Sequence, residues 1–175
     1  YLNQQGLSGA KIGFDISKDA IQLAASHFFD DGFFCVADLA QSPFAKTQFD
    51  AIINILSPSH YEEFDRLLKP GGLVVKVVPD SDYLIELRQR LYGADDDKQH
   101  YENDLVINRF KEAYPDCLHD HVTYEIALSK EAFHWLVDMT PLTWHMDEAK
   151  RQDLLAHPLE SITVSMSILV GTKKA

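Results

Sequence analysis

Short apolar runs alternate with amphipathic stretches through the first half of the chain. That alternation predicts strand–helix units carrying a parallel sheet. Residues 10–15 and 33–37 are two such runs, and each gives way to an acid, Asp15 and Asp38. Ser17 is placed to cap the helix after the first run, with Ile16 stapled onto Ile21, and Ile21, Ala24, Ala25 and Phe28 form its apolar face. Phe49–Leu56 is so uniformly apolar that both faces of its strand are expected to be buried. A helix over 59–68, capped by Ser57 or Ser59, ends at the Lys69-Pro70-Gly71-Gly72 turn. The valine-rich run Leu73–Val78 follows as a central strand.

The second half changes character. Ser81 is expected to cap a helix running to Leu91, with Leu84, Leu87 and Leu91 on one face and a Glu86–Arg90 pair. Residues 94–98 read as an acidic, flexible loop, Asn103–Ala113 as a helix, and His121–Leu128 as a strand. Ser129 caps a helix carrying Phe133, Leu136 and Val137, broken at Met139-Thr140-Pro141, and a last helix covers roughly 146–156. Ile162, Val164, Met166, Ile168 and Val170 alternate strictly. They predict a half-buried antiparallel strand inserted at the sheet edge. Tyr1–Leu7 reads as the tail of a helix ended by Gly6 or Gly9. The whole predicts one α/β domain over residues 1–175.

Composition changes this picture in few places. With 46% hydrophobic residues and 25% charged, the chain is ordinary for a globular domain. No apolar stretch reaches the roughly 20 residues of a membrane span, and no leader pattern opens the chain. Cys35 and Cys117 make no disulfide framework, which suits a reducing cytoplasm. The net charge of −11 argues against a free-standing nucleic-acid binder, because phosphate contacts demand cations.

The candidate chemistry lies at the strand ends, where open α/β sheets bind ligands. Asp15 can accept from both ribose hydroxyls of a nucleoside, or simply favour the start of a helix. Asp38 can accept from an adenine amino group with Leu39 packed on the ring, or stand as a solvated loop acid. At Asn54-Ile55-Leu56-Ser57-Pro58 an apolar strand gives way to an amide, a hydroxyl and a proline. Asn54 can bond a base edge there and Pro58 stiffen the loop, or the segment is only a strand-to-helix turn. Cys117-Leu118-His119-Asp120-His121 has metal-ligand residue types at crowded spacing with no second ligand pair, so no metal is expected. Neither a Gly-x-Ser-x-Gly elbow nor a phosphate-binding glycine–lysine loop is present.

The runs IGFDISKDAIQLAA (12–25), FCVAD (34–38), FDAIINILSP (49–58) and LLKPGG (67–72) resemble class I S-adenosylmethionine-dependent methyltransferases. PDSDYLIELRQRLY (79–92) and MTPLTW (139–144) narrow the resemblance to the 23S rRNA guanine-N1 methyltransferase family, some of whose members are linked to macrolide resistance. The resemblance implies a doubly wound, mostly parallel sheet with an antiparallel last strand. It implies S-adenosylmethionine as cofactor, held by Asp15, Ile16, Asp38, Leu39 and Asn54, with Tyr83 in the stretch that approaches it. It also implies that Asn54, Ser57 and Pro58 face the target base. Family members open with a small zinc module, then a strand and glycine loop; Tyr1-Leu2 falls directly after that loop. The resemblance therefore implies a sheet lacking its first strand, with edges at 10–15 and 49–56 that close up, take a strand from elsewhere, or pair two copies as a homodimer. It implies 23S rRNA as partner, gripped through the N-terminal module. No residue stands out as the base for the guanine N1 proton. The rival readings are a small-molecule methyltransferase, a non-catalytic fragment and, more distantly, a nicotinamide oxidoreductase.

Overall fold

The computed structural model describes residues 6, 8–93 and 103–174. The expected helix tail at Tyr1–Leu7 and the acidic loop at 94–98 lie wholly or mostly outside the described residues. Two compact units emerge: one of residues 1–52, 58–72 and 173–175, the other of residues 53–57 and 73–172.

In the first unit, β1 (Ile12–Asp15), α1 (Lys18–His27) and β2 (Phe33–Val36) form a parallel strand–helix–strand unit, with Asp15 paired to Val36. Ser17 caps α1 as predicted, its Oγ accepting from Ala20 N at 3.2 Å. The staple is not made: Ile16 is 75% exposed, and α1 buries none of its residues. Phe14, Phe44 and Phe49 pack in a chain with ring centroids 5.5 and 5.4 Å apart. Helix α2 (Tyr61–Leu67) is capped by neither serine. His60 does it, with Nδ1 accepting from Glu63 N at 3.1 Å. The Lys-Pro-Gly-Gly run is the extended start of β4 (Leu68–Pro79), because the backbone of Lys173 pairs with Gly71 and Gly72 there.

Glu63 ties this unit together. Its carboxylate accepts from Ser42 Oγ at 2.5 Å, Ser42 N at 3.1 Å, and Arg66 Nε and Nη2 at 2.7 and 2.6 Å. Chiefly the Arg66 hydrogen bond lowers its pKa from 4.5 to about 2 against the opposing effect of burial.

The four-stranded sheet has the order β3-β4-β6-β5, with β3 Phe49–Ile55, β5 Leu118–Ala127 and β6 Ser161–Thr172. Strand β6 is antiparallel to both β4 and β5, so those two run parallel. It is antiparallel as predicted but stands between them; β5 is the edge. The prediction that β3 is buried on both faces fails, since Ile53 and Ile55 are 52% and 58% exposed. Among the described residues β3 has a strand on one side only, and β1 pairs only with β2, so the two edges have not closed up.

Around the second unit's strands lie α3 (Ile85–Tyr92), α4 (Asp104–Ala113), α5 (Lys130–Met139) and α6 (Glu148–Ala156). Leu84, Leu87, Phe133, Leu136, Val137, Leu154 and Ile162 form their core. Helix α3 starts three residues later than predicted, after a turn in which buried Leu84 takes a left-handed φ of 55°. Core burial of that leucine offsets the backbone strain. The Glu86–Arg90 pair does not form: Glu86 accepts from Thr163 N and Oγ1, and Arg90 donates to the His157 carbonyl. At the far end of α4, the Tyr114 ring lies against Gly171, where an added Cβ would meet it at 2.5 Å.

The depressed Glu63 pKa makes a signed prediction. Its contribution is fully present above pH 4.5 and is lost as pH falls through about 2. Glu63→Gln should cost about 2 kcal/mol at pH 7, discounted for the solvent-facing side of Arg66. In urea titrations the gap from wild type should narrow steadily below pH 4.5; a pH-independent gap would contradict this account.

Candidate functional site

In the first unit the pattern of strand followed by acid delivers two carboxylates to one sheet end. Asp15 closes β1, and Asp38 follows β2 two residues beyond the Asp15–Val36 pair. Each carboxylate uses Oδ1 to hold its own turn, accepting from Ser17 N and from Ala40 N at 2.8 Å. Among the described residues, no hydrogen bond or ion pair engages the second oxygen of either, and both side chains are exposed. Leu39 is half-buried beside Asp38. Two fixed carboxylates with a free oxygen each, at the ends of adjacent parallel strands, can accept from the hydroxyls and amino group of a nucleoside. The residues present fit that part of S-adenosylmethionine.

The Asn54–Ser57 segment, in the second unit, is organised by a residue the sequence analysis did not single out. Lys76 interrupts the valine run of β4 and is only 2% exposed. Its Nζ donates to Asn54 Oδ1 at 2.7 Å and to the Ser57 carbonyl at 3.0 Å. Burial pushes the Lys76 ammonium pKa down. Asn54 is 6% exposed, so its side chain braces the strand end, while Ser57 and Pro58 are exposed. Leu56 between them has a left-handed φ of 50°, and its N–H donates to the Val77 carbonyl. A lysine inside a run of valines was the available signal, because a buried cation must find acceptors.

Tyr83 lies in the turn before α3, half-buried and packed against the leucine-rich core. Burial raises its phenol pKa. The structure does not bring its side chain into the Lys76 cluster.

A third strand-end acid was also passed over. Asp80 follows β4 in the same pattern as Asp15 and Asp38. Its Oδ1 accepts from Ser167 Oγ at 2.6 Å and Asn103 Nδ2 at 2.8 Å, and its Oδ2 faces His121 Nδ1 at 3.1 Å. Burial opposes its charge, but the bonds from Ser167, His121 and Asn103 outweigh it and hold the carboxyl below its usual pKa. His119 Nε2 lies 2.9 Å from Ser167 Oγ. Desolvation first, then the neighbouring His121 and Lys111 charges, push the His119 pKa down. Both histidines of the crowded Cys117–His121 run thus serve this network, and no group of three or more His, Cys, Asp or Glu among the described residues could hold a metal. The open side is a cavity of about 500 Å³ lined by Asp80, Ser81, Asn103, Asp104, His121, Thr123 and Ser165.

Residues 1–76 match the family described as "Methyltransferase domain". The chain is 43% identical over 168 residues to YxjB of Bacillus subtilis (strain 168), provisionally named a 23S rRNA (guanine-N(1)-)-methyltransferase. The match covers 96% of this chain and 59% of that protein. The 23S rRNA (guanine(748)-N(1))-methyltransferase of Streptomyces fradiae is 26% identical, over 89% of this chain and 56% of its own length. The chain thus spans between 52% and 59% of the curated relatives it matches. Among solved structures, an S-adenosylmethionine-dependent methyltransferase from Methanosarcina mazei superimposes with a TM-score of 0.53 at 13% identity, covering 93% of this chain and 81% of that one. The fold is that of the Rossmann-like methyltransferases.

Lys76→Met removes the donor shared by Asn54 and the Ser57 carbonyl while keeping the unbranched apolar stem. Hydrogen exchange of the Leu56 and Ser57 amides should then quicken at least tenfold, an opening about 1.4 kcal/mol cheaper. Unchanged exchange there would mean that Lys76 does not hold the segment.

Proposed function

We propose that this chain, whose residues 1–76 match the methyltransferase-domain family, is part of an enzyme of that family that moves a methyl group from S-adenosylmethionine to N1 of a guanine in 23S rRNA. One observation carries the reading. The Asp15–Asp38 pair stands at the ends of adjacent parallel strands, in a chain 43% identical over nearly its whole length to a relative provisionally named for that reaction. When bound, S-adenosylmethionine supplies an electrophilic methyl group on a sulfonium. In this reading Asp15 accepts from the ribose hydroxyls, exposed Ile16 gives an apolar wall, and Asp38 accepts from the adenine amino group with Leu39 against the ring. Ser57 and Pro58 present the exposed surface to the acceptor base, and Lys76 with Asn54 keeps that surface in place. Tyr83 acts by anchoring the turn after β4.

The charge of −11 gives these residues little attraction for RNA phosphates, so in this reading the grip on rRNA comes from elsewhere in a longer protein. No helix among the described residues is long and apolar enough to cross a membrane. The proposed location is the cytoplasm, with the ribosomal substrate.

The test is calorimetric titration with S-adenosylhomocysteine, alongside primer extension on 23S rRNA, which halts at N1-methylguanine. Micromolar binding, weakened at least tenfold by Asp15→Ala (about 1.4 kcal/mol), together with a new stop at one guanine, is the expected result. Binding indifferent to Asp15→Ala would reject the cofactor assignment. Methylation confined to small molecules would reject the RNA assignment.

A further inference from the structure

In the second unit's sheet the more polar face is the better covered one. Side chains alternate along a strand, so register sorts them between the faces. One face carries Val74, Lys76 and Ser167, each at most 2% exposed, with Gly171 under the Tyr114 ring. It holds a cation, a hydroxyl and a glycine, and it is covered.

The other face is more apolar and less covered. Val75, Val170 and Leu118 form one row across it, and Pro79, Met166 and Val122 form another. Leu118 and Val122 are 73% and 37% exposed, and the β4 and β6 members of both rows are half-buried. The row between them is Val77, Ile168 and Asp120, so one carboxylate stands in an otherwise apolar stretch. The face continues onto β3. Asn54 bonds Lys76 and so lies on the covered side, which turns Ile53 and Ile55 to this one, 52% and 58% exposed. Single exposed apolar residues are ordinary, but a contiguous apolar patch across four strands marks a docking surface.

One end of this face shows what covers it. Ile162 and Val164 are buried there, and Ile162 packs into the core formed with α3, α5 and α6. From Met166 to Val170 the burial on this face lapses. We propose that this stretch, with the strands beside it, seats an amphipathic helix from the part of the protein outside residues 1–175. The helix lays an apolar stripe on the sheet and sets a lysine or arginine against Asp120. The inference rests on the reading above that the chain is part of a longer protein, and not on the reaction.

Dimensions and chemistry select this occupant. The span Met166–Val170 measures about 17 Å, the length of a helix of about eleven residues, and four strands about 4.8 Å apart give the width of one helix. A sheet built by strand–helix alternation takes helices on both faces. The match with YxjB spans 59% of that protein, so a relative 43% identical carries far more additional chain than one helix needs. Nucleic acid does not fit, since the face offers its phosphates no cation. A second copy fits poorly, since it would set one net charge of −11 against another.

The experiment uses the full-length protein with the photo-cross-linking residue p-benzoylphenylalanine in place of Leu118 or, at the far edge of the face, of Ile53. Both positions are more than half exposed, so the fold seen here accommodates the larger ring. After irradiation and proteolysis, both should be joined to the same peptide from outside residues 1–175, within a single chain, at a yield that does not change on dilution. The same probe at Leu105, a 76% exposed leucine of α4, should not capture that peptide. A second readout needs no probe. Leu118→Lys should lower the full-length Tm by at least ~4 °C, and Leu105→Lys by less than ~1 °C. A smaller fall for Leu118→Lys, a cross-link confined to residues 1–175, or no cross-link overturns the proposal, as does a Leu105 probe or variant that behaves like its Leu118 counterpart. A cross-link between two chains overturns it in favour of a dimer. No readout uses methyl transfer. A protein that gives the expected cross-link and binds no S-adenosylhomocysteine rejects the function reading alone, whereas one that methylates 23S rRNA and leaves Leu118 without a cross-link rejects this inference alone.

Discussion

The register of β6 is the constraint on which the second unit depends. Strand β6 pairs Val78 with Ile168's neighbour Ser167 on one side and His121 with that same Ser167 on the other. Residues from three separated segments are thereby set in one row across the sheet. A slip of one residue would turn Ser167 to the opposite face and put Met166 or Ile168 in its place, dissolving the Asp80 network. The same face carries Gly171, on which Tyr114 rests, so the contact that seats the end of α4 and the polar row answer to one register. Stability and chemistry are not independent in this sheet.

The three strand-end acids share a sequence pattern and differ in what surrounds them. Asp15 and Asp38 are exposed, and each is bonded through one oxygen to its own turn. A carboxylate in that condition is oriented but not satisfied, which is the state a ligand requires. Asp80 is more deeply placed, and three side-chain donors converge on it. A carboxylate taken out of water needs those donors to stay charged. Satisfied in this way it has little left for a ligand, and its influence passes to the group it orients.

The alternation of apolar runs and helical stretches made most elements legible in the sequence, as did the capping residues Ser17 and Ser129. The errors have physical causes. Phe49–Leu56 reads as doubly buried because periodicity reports side-chain character and not the presence of a neighbour; β3 lacks a second strand partner among the described residues. Ser81 has the right chemistry for a cap, but the helix waits for Leu84, which reaches the core only by taking a left-handed backbone. The apolar alternation in β6 picks out buried Ile162 and Val164 and half-buried Met166, Ile168 and Val170, whereas Ser165, Ser167, Leu169 and Gly171 on the other face are all buried. Asp15 and Asp38 were legible as candidate site residues since the role proposed for them needs only position. The parts of Lys76, Asp80 and His121 depend on partners about 20 to 90 positions away, which no local pattern reveals.

The acidic balance of the chain then acquires a meaning under the proposed function. In protein–nucleic acid contacts, phosphate interactions position and base interactions specify. A net charge of −11 is ill suited to the first task, and a cation-free cavity lined by carboxylates, hydroxyls and an imidazole is ill suited to holding phosphate. Both properties suit the second task. A flipped or unpaired base enters a pocket as a neutral ring with donors on its edge, and it is met by acceptors. An acidic chemical centre, with the grip on the backbone supplied by other parts of a longer protein, separates the two demands.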